Sequence, residues 1–128
     1  MPHLSVHALE SDLAGTETDL IKTLTDAVVA VYGEWARSTV VVQLIGLPPN
    51  RWGIGGAPAQ TPAPRVTFGI RESVFARPDA NEIVARLATE ITNAIAKVLG
   101  EQVRPQTTLE LIATPAGRTA IGGAVVTD

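Results

Sequence analysis

The chain contains no cysteine among its 128 residues. That absence removes a disulfide framework, a thiol nucleophile and any cysteine-ligated metal site. Aromatic residues are scarce, at 4%, against 45% hydrophobic residues overall. A core of this composition is therefore mainly aliphatic. Charge is also sparse, with 18% charged residues and a formal net charge of −3. The basic footprint of a nucleic-acid binder is missing, so no nucleic-acid partner is expected. No apolar stretch reaches the roughly 18–20 residues that a membrane span needs. The opening residues MPHLSVHALES carry no basic leader followed by an apolar run, so no secretory signal is expected. The expectation is one soluble, cytoplasmic, globular domain over 1–128, since domains usually run about 100–200 residues.

The most informative feature is a repeat. PPNRWGIGG at 48–56 returns as PAGRTAIGG at 115–123. MPHLSVHALES (1–11) lies over APRVTFGIRES (63–73) at an offset of 62, with Pro2, Glu10 and Ser11 recurring as Pro64, Glu72 and Ser73. A longer loop in the second copy, SVFARPDANE, moves the offset to 67. Under that offset Leu20 pairs with Leu87, Ala27 with Ala94, Gly33 with Gly100, and Leu44-Ile45 with Leu111-Ile112. The domain is thus two copies, 1–62 and 63–128.

Each copy reads as strand, helix, strand, turn. Leu4, Val6 and Ala8, matched by Val66, Phe68 and Ile70, alternate with a period of two, the pattern of a half-buried strand. Leu20, Ile21, Leu24, Ala27, Val28 and Val31 share one helical face, as do Ile83, Val84, Leu87, Ala88, Ile91, Ile95 and Val98. Gly33 and Gly100 stand where a C-terminal glycine ends a helix, and Pro78-Asp79 suits the first turn of the second helix. The β-branched runs 39–45 and 107–113 supply the returning strands. A strand–helix–strand unit of this length forms a parallel pair with a right-handed crossover. Two units make an α+β fold: a four-stranded mixed sheet with two helices on one face. The uncovered face still carries Val, Leu and Ile, which predicts a homo-oligomer packed through it.

Few residues are candidates for chemistry. The GG endings do not open a helix, so the phosphate-cradle reading is weak; Gly-Gly instead suits a turn closing a short hairpin. His3 and His7 on one strand stand about 13 Å apart, too far for one tetrahedral ion, and no metal or cofactor is expected. Glu10-Ser11 and Glu72-Ser73 are strand-end residues that need no catalytic role. Pro2 is different. Removal of Met1 would expose a secondary amine, and apolar surroundings or nearby cations would hold it neutral at pH 7. Pro64, with its nitrogen in a peptide bond, has no such option. The plain alternative is a proline that merely starts a strand.

Pro2 heading a strand, the β-α-β repeat and W-G-I-G-G at 52–56 together resemble the tautomerase superfamily. The first half looks like a 4-oxalocrotonate tautomerase subunit, and the whole chain like two such subunits fused. The resemblance implies a homotrimer of fused chains with Pro2 as general base, acting on a small carboxylate substrate. It places Trp52 on the aromatic that walls the pocket, and it offers Arg71 or Arg77 as the substrate-binding arginine. Other positions depart from the family. Arginines of 4-oxalocrotonate tautomerase fall on Asp12 and Val41, and the water-activating glutamate of the chloroacrylic acid dehalogenases falls near Thr119. The acidic partner of malonate semialdehyde decarboxylase faces Ala36-Arg37. The implied activity is keto–enol tautomerisation of a 2-oxo or 2-hydroxyenoic acid. The alternatives are a related proline-based hydratase or decarboxylase, and a non-catalytic ligand-binding or interaction module.

Overall fold

The computed structural model describes residues 2–126; whether Met1 is removed concerns a residue outside that range. The chain runs β1 (His3–Leu9), a single turn α1 (Glu10–Leu13), α2 (Glu17–Tyr32), a 3-10 turn at Glu34–Thr39 and β2 (Val41–Leu47). A short hairpin of β3 (Gly53–Ile54) and β4 (Ala57–Pro58) closes the first copy. The second copy repeats the order: β5 (Arg65–Arg71), a 3-10 turn at Glu72–Ala76, α3 (Ala80–Leu99), a 3-10 turn at Glu101–Gln106 and β6 (Thr108–Thr114). It ends in the hairpin of β7 (Ala120–Ile121) and β8 (Ala124–Val125).

The main sheet has the order β2-β1-β5-β6. β1 and β2 are parallel, as are β5 and β6. The two copies meet antiparallel through β1 and β5, with Ser5 opposite Thr67 at the centre of the register and Val6 opposite Val66 beside it. This is the mixed four-stranded sheet that the repeat predicts. Because the copies are antiparallel, the start of β1 lies beside the end of β5, and the hairpin β7-β8 follows from that same end of the sheet.

Alternation along the strands sorts the side chains. Leu4, Val6 and Ala8 of β1 and Val66, Phe68 and Ile70 of β5 are buried. They pack against Leu20, Leu24, Ala27 and Val28 of α2 and Ile83, Leu87, Ile91, Ala94 and Ile95 of α3. Both helices thus cover one face. The other face is more polar than the apolar runs suggest. His3 Nε2 lies 3.1 Å from Gln43 Oε1, and Arg65 donates to Glu110 at 2.9 Å. Val41 and Ile112 add exposed apolar area.

Three details depart from the sequence reading. Ile21 is 42% exposed rather than in the core, because the buried stripe of α2 is carried by Leu20 and Leu24. β2 runs from Val41 instead of Thr39, since the residues after Gly33 first form a 3-10 turn closed by Thr39 Oγ1 donating to the Ala36 carbonyl at 2.8 Å. α3 starts at Ala80, just past Pro78-Asp79, because the longer loop winds a 3-10 turn before it.

The GG endings are two-residue hairpin loops. Gly55 and Gly56 have φ of 63° and 87°, and Gly122 and Gly123 have 60° and 85°. Two successive positive φ values are what a type I′ hairpin turn demands. The repeated motif is a closing hairpin in both copies.

Candidate active site

Pro2 sits immediately before β1, and the Val41 N–H donates to its carbonyl at 3.0 Å, fixing it against the edge strand. His3 is opposite Gly69, so continuing that antiparallel register sets Ile70 across from Pro2 and Arg71 just beyond. Pro2 is buried, yet it borders a cleft of about 360 Å³. Ile70 and Arg71 come from the end of β5, and Val74 from the 3-10 turn of the longer second-copy loop. Tyr32, Trp35 and Thr39 come from the end of α2 and the turn after it, and Ile121 from the last hairpin. The cleft is therefore made by both copies. Arg71 is the one charged side chain among the described residues that line it.

Two of these walls, Tyr32 and Trp35, were not among the candidates read from the sequence. Their rings meet edge to face with centroids 6.4 Å apart. The Trp35 indole N–H donates to the Tyr32 carbonyl at 2.7 Å. Tyr32 Oη is buried with no hydrogen-bond partner among the described residues. Burial pushes its phenol above the ordinary tyrosine value, opposed by the positive charge of Arg77, so the hydroxyl stays protonated at neutral pH. The sequence signal for both aromatics is the repeat itself. At the offset of 67, Tyr32 faces Leu99 and Trp35 faces Gln102, so the copies diverge beside the proline that could be free.

The other candidates lie elsewhere. Arg77 does not line the cleft. It donates to both oxygens of Asp79, at 3.0 and 3.2 Å. That hydrogen-bonded pairing raises the Arg77 pKa and holds the Asp79 carboxyl below its ordinary value. Trp52 borders a different recess with His7, Leu47, Arg51, Arg65 and Thr67. It follows β2, whose end pairs with the end of β1. Pro2 lies at the opposite end, about 20 Å away along strands of this length. In a single chain Trp52 and Pro2 therefore do not share a pocket. His3 and His7 lie on the uncovered sheet face, and the described residues contain no group of three or more His, Asp or Glu able to hold a metal.

The second copy has a recess beside Ala63, the residue before Pro64. The Thr108 N–H donates to the Pro64 carbonyl at 3.2 Å, as Val41 does to Pro2. The recess there is bordered by Ser11, Asp12, Gln102, Gln106 and connector residues 60–63. Among the described residues that line it there is no arginine and no aromatic ring.

Fold and cleft together define a two-repeat β-α-β protein whose first strand is headed by a buried proline. Residues 2–61 match the family model named Tautomerase and described as "Tautomerase enzyme". Among solved structures, the F6 fused 4-OT wild-type asymmetric trimer is 24% identical with a TM-score of 0.81, covering 96% of this chain and 94% of that one. Pt0534 inactivated by 2-oxo-3-pentynoate is 17% identical with a TM-score of 0.79, at 96% and 94% coverage. N1, a member of the cis-3-chloroacrylic acid dehalogenase family, is 16% identical with a TM-score of 0.72, at 98% and 84% coverage. At these identities the likeness is one of fold. No curated protein matches the sequence. The first copy thus matches the Tautomerase family model, and the whole chain has the two-repeat fold of the fused 4-OT structures. No helix among the described residues is long and apolar enough to cross a membrane.

Proposed function

We propose that the protein is a cytoplasmic keto–enol tautomerase acting on a small 2-oxo or 2-hydroxyenoic acid, with the Pro2 nitrogen as general base once Met1 is removed. The observation that carries this reading is that buried Pro2 and Arg71 border one cleft whose other described lining residues are uncharged. Burial in an apolar wall and the nearby guanidinium both disfavour the protonated amine, so Pro2 is kept in its proton-accepting form.

The step needs no external reagent. Pro2 takes the proton from the 2-hydroxyl of the enol, the O–C2 bond becomes a carbonyl, and the electron pair of the C2–C3 double bond moves to C3. The same proton is then returned from Pro2 to C3, a net 1,3-transfer. Arg71 holds the substrate carboxylate through charge-assisted hydrogen bonds. Arg77 does not line the cleft and is given no such part. Trp52 serves the cleft of a neighbouring copy in a homotrimer, the assembly for which the F6 fused 4-OT is named.

Hydration or decarboxylation fits less well. The described cleft residues include no carboxylate to activate water or to replace the missing acidic partner. Arg37, where the decarboxylase's acid would stand, is bonded to Glu34 and Asp26 at 2.6 and 2.7 Å.

The test is ketonisation of the enol of phenylpyruvate by protein whose mass shows Met1 removed. Pro2→Ala should lower kcat/KM by about 10²–10⁴-fold, the usual contribution of a positioned acid–base group. Arg71→Ala should raise KM at least about tenfold while Arg77→Ala leaves it within about twofold. An unchanged rate in Pro2→Ala removes the proline base.

A further inference from the structure

We infer that Trp35 is the specificity-determining residue of this cleft: its exposed indole face receives an apolar, ring-bearing tail of a monocarboxylate substrate. The inference rests on the tautomerase reading for the identity of the cleft, though its test does not need turnover.

Trp35 is 72% exposed in the single chain, and an exposed tryptophan is ordinarily free to move. This one is held by two contacts. Its N–H donates to the Tyr32 carbonyl and its ring meets the Tyr32 ring edge to face, while its Cδ1 and Nε1 occupy space that a Cβ on Gly33, 3.1 and 3.2 Å away, would crowd. The indole lies folded back over a glycine with one face left open to the cleft.

The second copy is an internal control for what this anchoring is for. Gln102 occupies the matching position and makes the matching bond, Nε2 donating to the Leu99 carbonyl at 3.1 Å. It too folds back over its glycine, Gly100. The turn even keeps its ion pair, with Arg104 on Glu101 as Arg37 is on Glu34. A glutamine is therefore sufficient for the fold. The tryptophan adds only apolar area, and it does so at the working proline and not at Pro64.

The rest of the cleft agrees. Arg71 is the one charged side chain among the described lining residues, Ile70, Val74 and Ile121 are apolar, the Thr39 hydroxyl donates to the Ala36 carbonyl and the Tyr32 hydroxyl is buried. An anchored aromatic ring in the same cleft as a cation selects an acid with one charged end and one apolar end, because stacking adds to area burial. A dicarboxylate would leave its second charge against hydrocarbon, which is costly.

The experiment measures dissociation constants of two unreactive acids, 3-phenylpropionate and propionate, with wild type, Trp35→Gln and Trp35→Phe, alongside the mass of each assembly. Wild type should prefer 3-phenylpropionate by at least about tenfold. Trp35→Gln, which retains the anchoring hydrogen bond already used by Gln102, should lose that preference while binding propionate within about twofold of wild type. Trp35→Phe, which lacks the N–H but keeps an aromatic face, should retain most of it. A preference that survives in Trp35→Gln, or that wild type never shows, overturns the inference. So does a change of assembly mass in Trp35→Gln, which would assign the indole to a subunit interface. Failure of ketonisation with this binding pattern intact would count against the tautomerase reading alone.

Discussion

Tyr32 Oη is the buried side-chain polar atom that the described residues leave without a hydrogen bond. A hydroxyl in that state costs about 1–3 kcal/mol of desolvation, while the ring to which it is attached still packs against Trp35. Tyr32→Phe removes the cost and keeps the ring, so denaturant unfolding should show equal or greater stability, by up to about 1 kcal/mol. A loss of more than that would mean the hydroxyl has a partner in the assembled protein. Single residues also show where the sequence was legible. Pro2 is a candidate from its place before a strand and Arg71 only from the family resemblance; the antiparallel register of β1 and β5 is what brings them to one cleft. Arg77 was an equal candidate in the sequence, and its bidentate bond to Asp79 two residues on depends on side-chain geometry that spacing does not reveal. Tyr32 and Trp35 lie where helical periodicity stops, at the last residue of α2 and in the turn beyond. Only the mismatch with Leu99 and Gln102 marked them.

At the scale of elements the repeat made most of the fold readable. Helix ends at Gly33 and Gly100, the strand cores and the GG hairpins all follow from local chemistry. The 3-10 turns after each glycine did not, which is why β2 starts two residues later than its β-branched run. Gly33 is the point where α2 becomes such a turn. Its φ of 109° and ψ of 163° lie in a region that is essentially glycine's alone. A Cβ there would also press on the Trp35 indole at 3.1 Å. Gly33→Ala should therefore cost about 1–3 kcal/mol in unfolding free energy, and should move the tryptophan fluorescence as the indole is displaced. Gly100→Ala meets the same backbone restriction, at φ 113°, but disturbs Gln102 instead. It should be similarly destabilising and leave the tryptophan signal in place. Equal fluorescence changes in both would break the link between Gly33 and Trp35.

For the whole molecule, the antiparallel meeting of β1 and β5 has the largest consequence. It puts the hairpin of the second copy at Pro2 and the hairpin of the first copy, with Trp52, at the far end of the sheet. The expected mixed sheet already implies this direction, because two parallel pairs make a mixed sheet only when the copies meet antiparallel. The part proposed for Trp52 therefore requires a second chain, and an assembly closed by symmetry would supply one to every cleft. Three copies of a 13.4 kDa chain amount to about 40 kDa, a mass that sedimentation can check. The sharper consequence is complementation. Pro2→Ala and Trp52→Ala chains should each be poorly active as pure trimers. In mixed trimers, a cleft that takes its proline from one mutant and its tryptophan from the other is whole again. With equal amounts and random exchange, about a quarter of all clefts should be restored. Activity should rise after denaturing and refolding the two together, but not after merely mixing preformed assemblies that do not exchange. If co-refolding restores nothing although mixed trimers form, Trp52 either acts within its own chain or has no part in the site. The distance between the two ends of β1 excludes direct contact within one chain, so the second of these would then hold.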